Sequence, residues 1–244
     1  MTILSVNINK IATLRNARGE DYPNLLNTAI DIIKFGAQGI TIHPRPDERH
    51  VRYQDAMDLK RNISCELNIE GNPIKRFIDL VNEVKPAQVT LVPDSVDAIT
   101  SNSGWDTVTN YSFLKDIVDN FRSNSIRVSI FINPDTKMLE GAKKINADRI
   151  ELFTGPYAKE FSNDRHKAIE QYIKCSEVAN EIGIEINAGH DLNQNNLKFF
   201  SDSINNLKEV SIGHALITES LYYGLEPTIK SYLEILKWKF FIQT

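Results

Sequence analysis

Three of the five histidines in this 244-residue chain stand where an apolar, β-branched run stops. His43 follows Gly39-Ile40-Thr41-Ile42, His190 follows Ile184-Glu185-Ile186-Asn187-Ala188-Gly189, and His214 follows Val210-Ser211-Ile212-Gly213. His50 lies shortly beyond His43. Imidazole has no β-propensity reason to collect at strand ends, and it is the side chain that gives or takes a proton near neutral pH. Two carboxylates keep similar company: Glu70 in Cys65-Glu66-Leu67-Asn68-Ile69-Glu70-Gly71 and Glu151 in Arg149-Ile150-Glu151-Leu152-Phe153-Thr154-Gly155. Gathered at one mouth, these groups could run several proton transfers. Alternation puts Glu66, Asn68 and Glu70 on one face, directed at an interior. An interior carboxylate is costly unless paired or protonated. Each therefore has two readings: a base whose pKa burial has raised, or half of a structural ion pair, with Arg149 the candidate partner for Glu151.

Anion chemistry is the second theme. The turns Ala188-Gly189-His190-Asp191 and Ile212-Gly213-His214-Ala215 follow apolar runs, and the second opens a helical pattern. Backbone N–H groups at such a turn and helix N-terminus suit phosphate. Arg15 and Arg18 follow the first run, and Arg45, Arg49 and His50 follow the second. A guanidinium donates bidentate hydrogen bonds to phosphate, although any one of these arginines could equally cover a solvated face. Arg45, beside His43, is the one expected to touch a ligand.

The elements that must position these residues alternate regularly. Apolar runs predict strands over Ile3–Asn9, Gly39–His43, Ser64–Ile69, Gln88–Val92, Arg127–Asn133, Arg149–Thr154, Ile184–Ala188 and Glu209–Gly213. Helical spacing lies between them, as in Leu25, Leu26, Ala29, Ile32 and Ile33, or Ile74, Phe77, Ile78, Val81 and Val84. Phe113, Leu114, Ile117, Val118 and Phe121 repeat it, as do Ile169, Ile173, Ser176, Val178 and Ala179. Asn72-Pro73 reads as an N-cap with proline at the first helical position, and Asn133-Pro134-Asp135 offers similar chemistry. Gly36 and Gly183 stand where left-handed caps are expected. Eight strands alternating with helices predict a (β/α)8 TIM barrel, one domain over residues 1–244. A doubly wound open sheet is the alternative, but it would concentrate its site at one switch point. Pro93–Asn110 is long enough to serve an active site. A C-terminal helix over Pro227–Phe241 carries Leu233, Leu236, Trp238, Phe240 and Phe241, apolar surface that could face another subunit.

Composition narrows the function classes. The net charge of −4 and pI near 5.8 offer no basic field for nucleic acid. No stretch approaches a membrane span, and the first residues lack a signal-peptide pattern, so a cytoplasmic enzyme is expected. Cys65 and Cys175 read as reduced, buried thiols. No metal motif or nucleotide fingerprint appears, so no metal and no cofactor are expected. Lys10 is the lysine nearest a predicted strand end, which disfavours a Schiff-base aldolase.

Taken in order, the motifs resemble the pyridoxine 5′-phosphate synthase family. The carrying segments are Val6-Asn7-Ile8-Asn9-Lys10-Ile11-Ala12-Thr13-Leu14-Arg15-Asn16-Ala17-Arg18-Gly19, Gly39-Ile40-Thr41-Ile42-His43-Pro44-Arg45-Pro46-Asp47-Glu48-Arg49-His50, Leu67-Asn68-Ile69-Glu70, Leu91-Val92-Pro93, Glu151-Leu152-Phe153-Thr154-Gly155, Asn187-Ala188-Gly189-His190 and Ile212-Gly213-His214-Ala215. The resemblance implies a TIM barrel assembled as a homo-octamer, a tetramer of dimers. It implies condensation of 3-amino-2-oxopropyl phosphate with 1-deoxy-D-xylulose 5-phosphate. By position, His43 and Glu70 match proton acceptors, His190 a proton donor, and Glu151 a polar residue near the reacting centre. Asn7, Arg18, Asp191, Gly213 and His214 match contacts to the amino-ketone phosphate; Asn9, Lys10, Arg45, His50 and Thr100 match contacts to the sugar phosphate. Two departures stand out: Asn9-Lys10 replaces the Asp-His of many relatives, and Asp191 stands where some have glycine. The competing readings are another phosphate-handling TIM-barrel lyase or isomerase, and a non-catalytic barrel that binds a phosphorylated ligand.

Overall fold

The structure, a computed structural model, describes residues 1–94 and 101–237. Thr100, Trp238, Phe240 and Phe241 lie outside the described residues. Eight parallel strands close into one barrel in chain order: β1 (Ile3–Asn7), β2 (Gly39–Ile42), β3 (Glu66–Gly71), β4 (Gln88–Leu91), β5 (Arg127–Ile132), β6 (Arg149–Leu152), β7 (Glu185–Gly189) and β8 (Leu207–Ile212), with β8 returning to β1. The closed sheet excludes the open-sheet alternative. Around it run α1 (Asn9–Asn16), α2 (Leu25–Lys34), α3 (Tyr53–Asn62), α4 (Lys75–Val84), α5 (Tyr111–Ser123), α6 (Thr136–Lys144), α7 (Gly155–Glu160), α8 (Arg165–Ile182), α9 (Leu197–Ser203), α10 (His214–Tyr223) and α11 (Leu225–Lys237).

Strand alternation sorts the side chains. Leu4, Val6, Ile40, Ile42, Ile69, Val89, Ile130, Ile150, Ile186 and Val210 point outward and are buried beneath the helices. On α4, Phe77, Leu80, Val81 and Val84 supply the facing stripe. The inward set is different. Barrels of this kind usually fill their interior with Val, Ile and Leu; here Ser5, Thr41, Asn68, Thr90, Ser129, Asn187 and Ser211 are buried instead.

These polar groups form layers. At the floor, Glu209 Oε2 accepts from Gln88 Nε2 at 3.2 Å, Arg149 Nη1 at 3.1 Å and Asn187 Nδ2 at 3.1 Å. Arg149 also donates to Glu185, and Arg127 joins Gln88 to Glu66. Arg149 is thus not the partner of Glu151. Glu66 shares the face of Glu70, but it ends exposed at the opposite rim of the barrel. Above the floor, Ser5 and Thr41 share a 2.7 Å hydrogen bond and Thr90 donates to Asn68 at 3.1 Å.

The helix boundaries correct several expectations. Asn72 does not cap α4, whose N-cap is Ile74; its amide donates instead to the Asp94 carbonyl. Asp135, rather than Asn133, caps α6. Gly183 does adopt the left-handed cap of α8, with φ +68°. Cys175 is buried, whereas Cys65 is only half-buried.

Removing one member of a buried charge network leaves its partners desolvated and unpaired, at a typical cost of about 3–5 kcal/mol. Glu209→Ala is therefore expected to lower unfolding stability by roughly that amount, and Glu209→Gln by less. Urea titration of both variants checks this.

Candidate active site

The first three strands end in one connected set of hydrogen bonds. Asn7 Oδ1 accepts from the Asn9 backbone N–H at 3.1 Å, and Asn9 Oδ1 accepts from the His43 N–H at 2.9 Å. Asn7 Nδ2 in turn donates to Glu70 Oε2 at 3.4 Å. A neutral amide at position 9 thus fixes the backbone of His43. An acceptor oxygen is all that this role requires, which accounts for Asn in place of the expected carboxylate.

These groups open onto a cavity of about 600 Å³ at the C-terminal end of the strands. Of the residues expected at the site, Asn7, Asn9, Lys10, His43, Arg45, His50, Glu70, Glu151, His190, Asp191, Gly213 and His214 all line it. Arg18, exposed beyond the end of α1, does not. Arg15 is removed from ligand binding altogether: it is 2% exposed and makes two hydrogen bonds to Asp55, joining α1 to α3. Arg49 likewise pairs with Asp47. His166 is exposed at the start of α8, as its polar surroundings suggest.

Electrostatics divide the cavity. His43 Nδ1 lies 3.9 Å from Glu70 Oε2. Burial, reinforced by the nearby Arg45 charge, pushes the His43 pKa well below the usual imidazole value, so it stays neutral and able to accept a proton. Glu70 moves the other way. Burial, then the neighbouring Glu151 and Asp94, raises its carboxyl well above the ordinary range. Glu151 is 4% exposed, its Oε2 has no hydrogen-bond partner among the described residues, and burial lifts its pKa to about 8. The two shifts favour a neutral imidazole facing a protonated carboxyl 3.9 Å away.

The anion-binding features lie on either side. Arg45 is 5% exposed and held by Asp94 Oδ2 at 2.7 Å, an acid that also accepts from Ser101. His50 Nδ1 accepts from the Val51 N–H at 2.8 Å, which fixes the ring hydrogen on Nε2. Burial and the Arg45 charge push the His50 pKa down to about 4, so it acts as a neutral donor. Opposite, Gly213 is the N-cap of α10, and Gly213, His214 and Ala215 bring the positive end of that helix to the cavity. His190 follows β7 and is bonded to Asp191. Among the described residues, no group of three or more His, Cys, Asp or Glu is placed to hold a metal ion.

Sequence reasoning passed over several lining residues. Ser211 and Phe131 were accessible from alternation, since each sits between outward-facing apolar neighbours on its strand. Asn193 and Ser101 lie in irregular segments, where no periodicity announces them. Asp94 was visible as a polar residue following β4, but its partnership with Arg45 was not.

Comparison with known proteins follows this geometry. A family profile described as "Pyridoxal phosphate biosynthesis protein PdxJ" matches residues 4–238. The chain is 60% identical to the pyridoxine 5′-phosphate synthase of Cytophaga hutchinsonii, covering 97% of this chain and 100% of that protein. It is 59% identical to the synthase of Flavobacterium johnsoniae over the same shares. Among solved structures, 3-keto-L-gulonate-6-phosphate decarboxylase from Vibrio cholerae superposes with a TM-score of 0.68 at 9% identity, covering 98% of this chain and 99% of that one. Phosphoribosylanthranilate isomerase from Thermotoga maritima gives 0.61 at 13% identity, covering 98% and 100%. At such low identity these structures speak to the barrel alone, but the whole-length profile and the close relatives speak to ancestry: the chain belongs to the PdxJ family of pyridoxal phosphate biosynthesis proteins.

Proposed function

We propose that this chain is a pyridoxine 5′-phosphate synthase that condenses 3-amino-2-oxopropyl phosphate with 1-deoxy-D-xylulose 5-phosphate to give pyridoxine 5′-phosphate, inorganic phosphate and water. The observation that carries the reading is one cavity in which His43 and Glu70, 3.9 Å apart, stand between two anion-binding features. The family and its named relatives agree with it.

The amino-ketone phosphate is assigned to Asn7, Gly213 and His214, where α10 offers backbone donors, with Arg18 as a further cation for it. The sugar phosphate is assigned to Arg45, His50 and Lys10, with Asn9 beside them. The substrate amine attacks the sugar ketone, and His43 takes the proton it sheds. His190 protonates the departing hydroxyl, so that water leaves and an imine forms. Elimination then expels the sugar phosphate. Glu70 gives its proton to that departing phosphate oxygen and so becomes the base for the later C–H abstraction, with Glu151 beside it. The enamine carbon formed by that abstraction attacks the amino-ketone carbonyl to close the ring, and a final loss of water makes it aromatic.

The working form is assigned as a cytoplasmic homo-octamer, a tetramer of dimers. Leu221, Tyr222 and Tyr223, exposed by 73%, 84% and 69% at the end of α10, are apolar surface that such an assembly would cover. Among the described residues, no helix is long and apolar enough to cross a membrane.

Purified protein supplied with both substrates is expected to form pyridoxine 5′-phosphate, read by fluorescence or mass spectrometry. Absence of product with intact folding would refute the assignment. Glu70→Gln and His43→Asn should each lower kcat by about a hundredfold or more while leaving far-ultraviolet circular dichroism unchanged.

A raised carboxyl pKa also has a stability signature. The folded state binds the Glu151 proton more tightly than the unfolded chain does. Its contribution is therefore complete below the unfolded value of 4.5 and is lost as pH rises toward about 8. The slope is at most about 1.4 kcal/mol per pH unit. Glu151→Gln should flatten the fall in melting temperature across that window.

A further inference from the structure

We propose that Asp191 is a positioning residue for His190, its carboxylate holding the imidazole so that Nε2 is the nitrogen that exchanges a proton with substrate. The proposal rests on the synthase reading of the cavity and assigns Asp191 a part that is not phosphate binding.

His190 Nδ1 lies 2.7 Å from Asp191 Oδ2. Neighbouring residues in extended chain point to opposite faces, so this contact depends on an unusual backbone. His190 has φ +31°, a conformation that residues with side chains seldom adopt. Such backbone persists only where the surroundings over-determine it. Here they do. Thr154 Oγ1 donates to the Gly189 carbonyl at 2.7 Å and accepts the Asp191 N–H at 3.2 Å. The Leu192 N–H donates to Gly189 O at 2.8 Å, and Asn196 Nδ2 to Asp191 O at 3.3 Å. Position 189 has no room for a side chain, since a Cβ there would fall 2.0 Å from the Ser211 carbonyl oxygen. Phe153 stands edge-on to the imidazole, with ring centres 6.0 Å apart.

This arrangement commits both polar groups of Asp191 to partners within the chain. Its N–H is given to Thr154 and its carboxylate to His190. A carboxylate only accepts, so Nδ1 carries the hydrogen in that bond. Nε2 takes the proton that the substrate's ammonium group must lose before it can attack, and gives it to the departing hydroxyl oxygen as its C–O bond breaks. Water leaves, and His190 remains neutral with its hydrogen on Nδ1. Asp191 orients the ring and stabilises its charged form without itself taking the proton, the division of labour known from other carboxylate–imidazole pairs.

The test combines kinetics with ¹⁵N solid-state NMR of the histidine-labelled, assembled enzyme, using His190→Gln to assign the signal. Wild type should show neutral His190 with its hydrogen on Nδ1. Asp191→Asn should move that hydrogen to Nε2 and lower kcat roughly ten- to a hundredfold, with both KM values within about twofold of wild type. Asp191→Glu should recover most of the loss. An unchanged tautomer with unchanged kcat in Asp191→Asn would overturn the proposal. So would a raised KM for the amino-ketone phosphate with kcat intact, since that is the signature of a phosphate contact. Inactive wild-type enzyme would sink the synthase reading, and the tautomer measurement would still decide the geometry of the pair.

Discussion

Closing eight parallel strands into a barrel forces every second side chain into one shared interior, and in this chain that interior is polar. Buried polar groups must satisfy one another or change protonation state. The floor takes the first course: Glu209, Arg149, Gln88 and Asn187 form a network in which charge meets charge. The mouth takes the second. Glu70 and Glu151 are buried with no cation bonded to either among the described residues, so their charged forms are suppressed. One architectural constraint thus produces a rigid, charge-paired floor and a mouth whose two inward glutamates meet no cation among the described residues.

The same constraint explains why acid and base coexist so close together. Desolvation acts in opposite directions on a carboxyl and an imidazole. A shared low-dielectric mouth therefore gives Glu70 a proton and takes one from His43. No residue has to be tuned separately. The amide bridge through Asn7 and Asn9 needs only neutral groups, and it keeps the two reactive side chains in register. The barrel's outer apolar layer, pressed beneath the helices, supplies the rigidity that holds this spacing.

Much of this was legible in the sequence because strand alternation is short-range. Runs such as Gly39–Ile42 and Glu66–Gly71 announce both the strand and the face each residue takes. Predicted strands overran at His43 and Asn9, where the backbone leaves the ladder to present the site. The polar helices α1 and α3 escaped notice because each buries only two residues, Ala12 and Arg15 in one and Ala56 and Leu59 in the other. Pairings between distant residues were the least accessible. Nothing local in the sequence says that Arg15 belongs to Asp55 or Arg45 to Asp94, so both arginines stood as phosphate candidates, with only the neighbouring His43 to favour Arg45.

The central claim is that burial keeps a proton on Glu70 beside a neutral His43. Infrared difference spectroscopy between wild type and Glu70→Gln reads it directly, since a protonated carboxyl and a carboxylate absorb in separate regions. At neutral pH the account predicts that the substitution removes a carboxylic-acid carbonyl band. Loss of carboxylate bands alone would show Glu70 ionised in the resting enzyme and would contradict it.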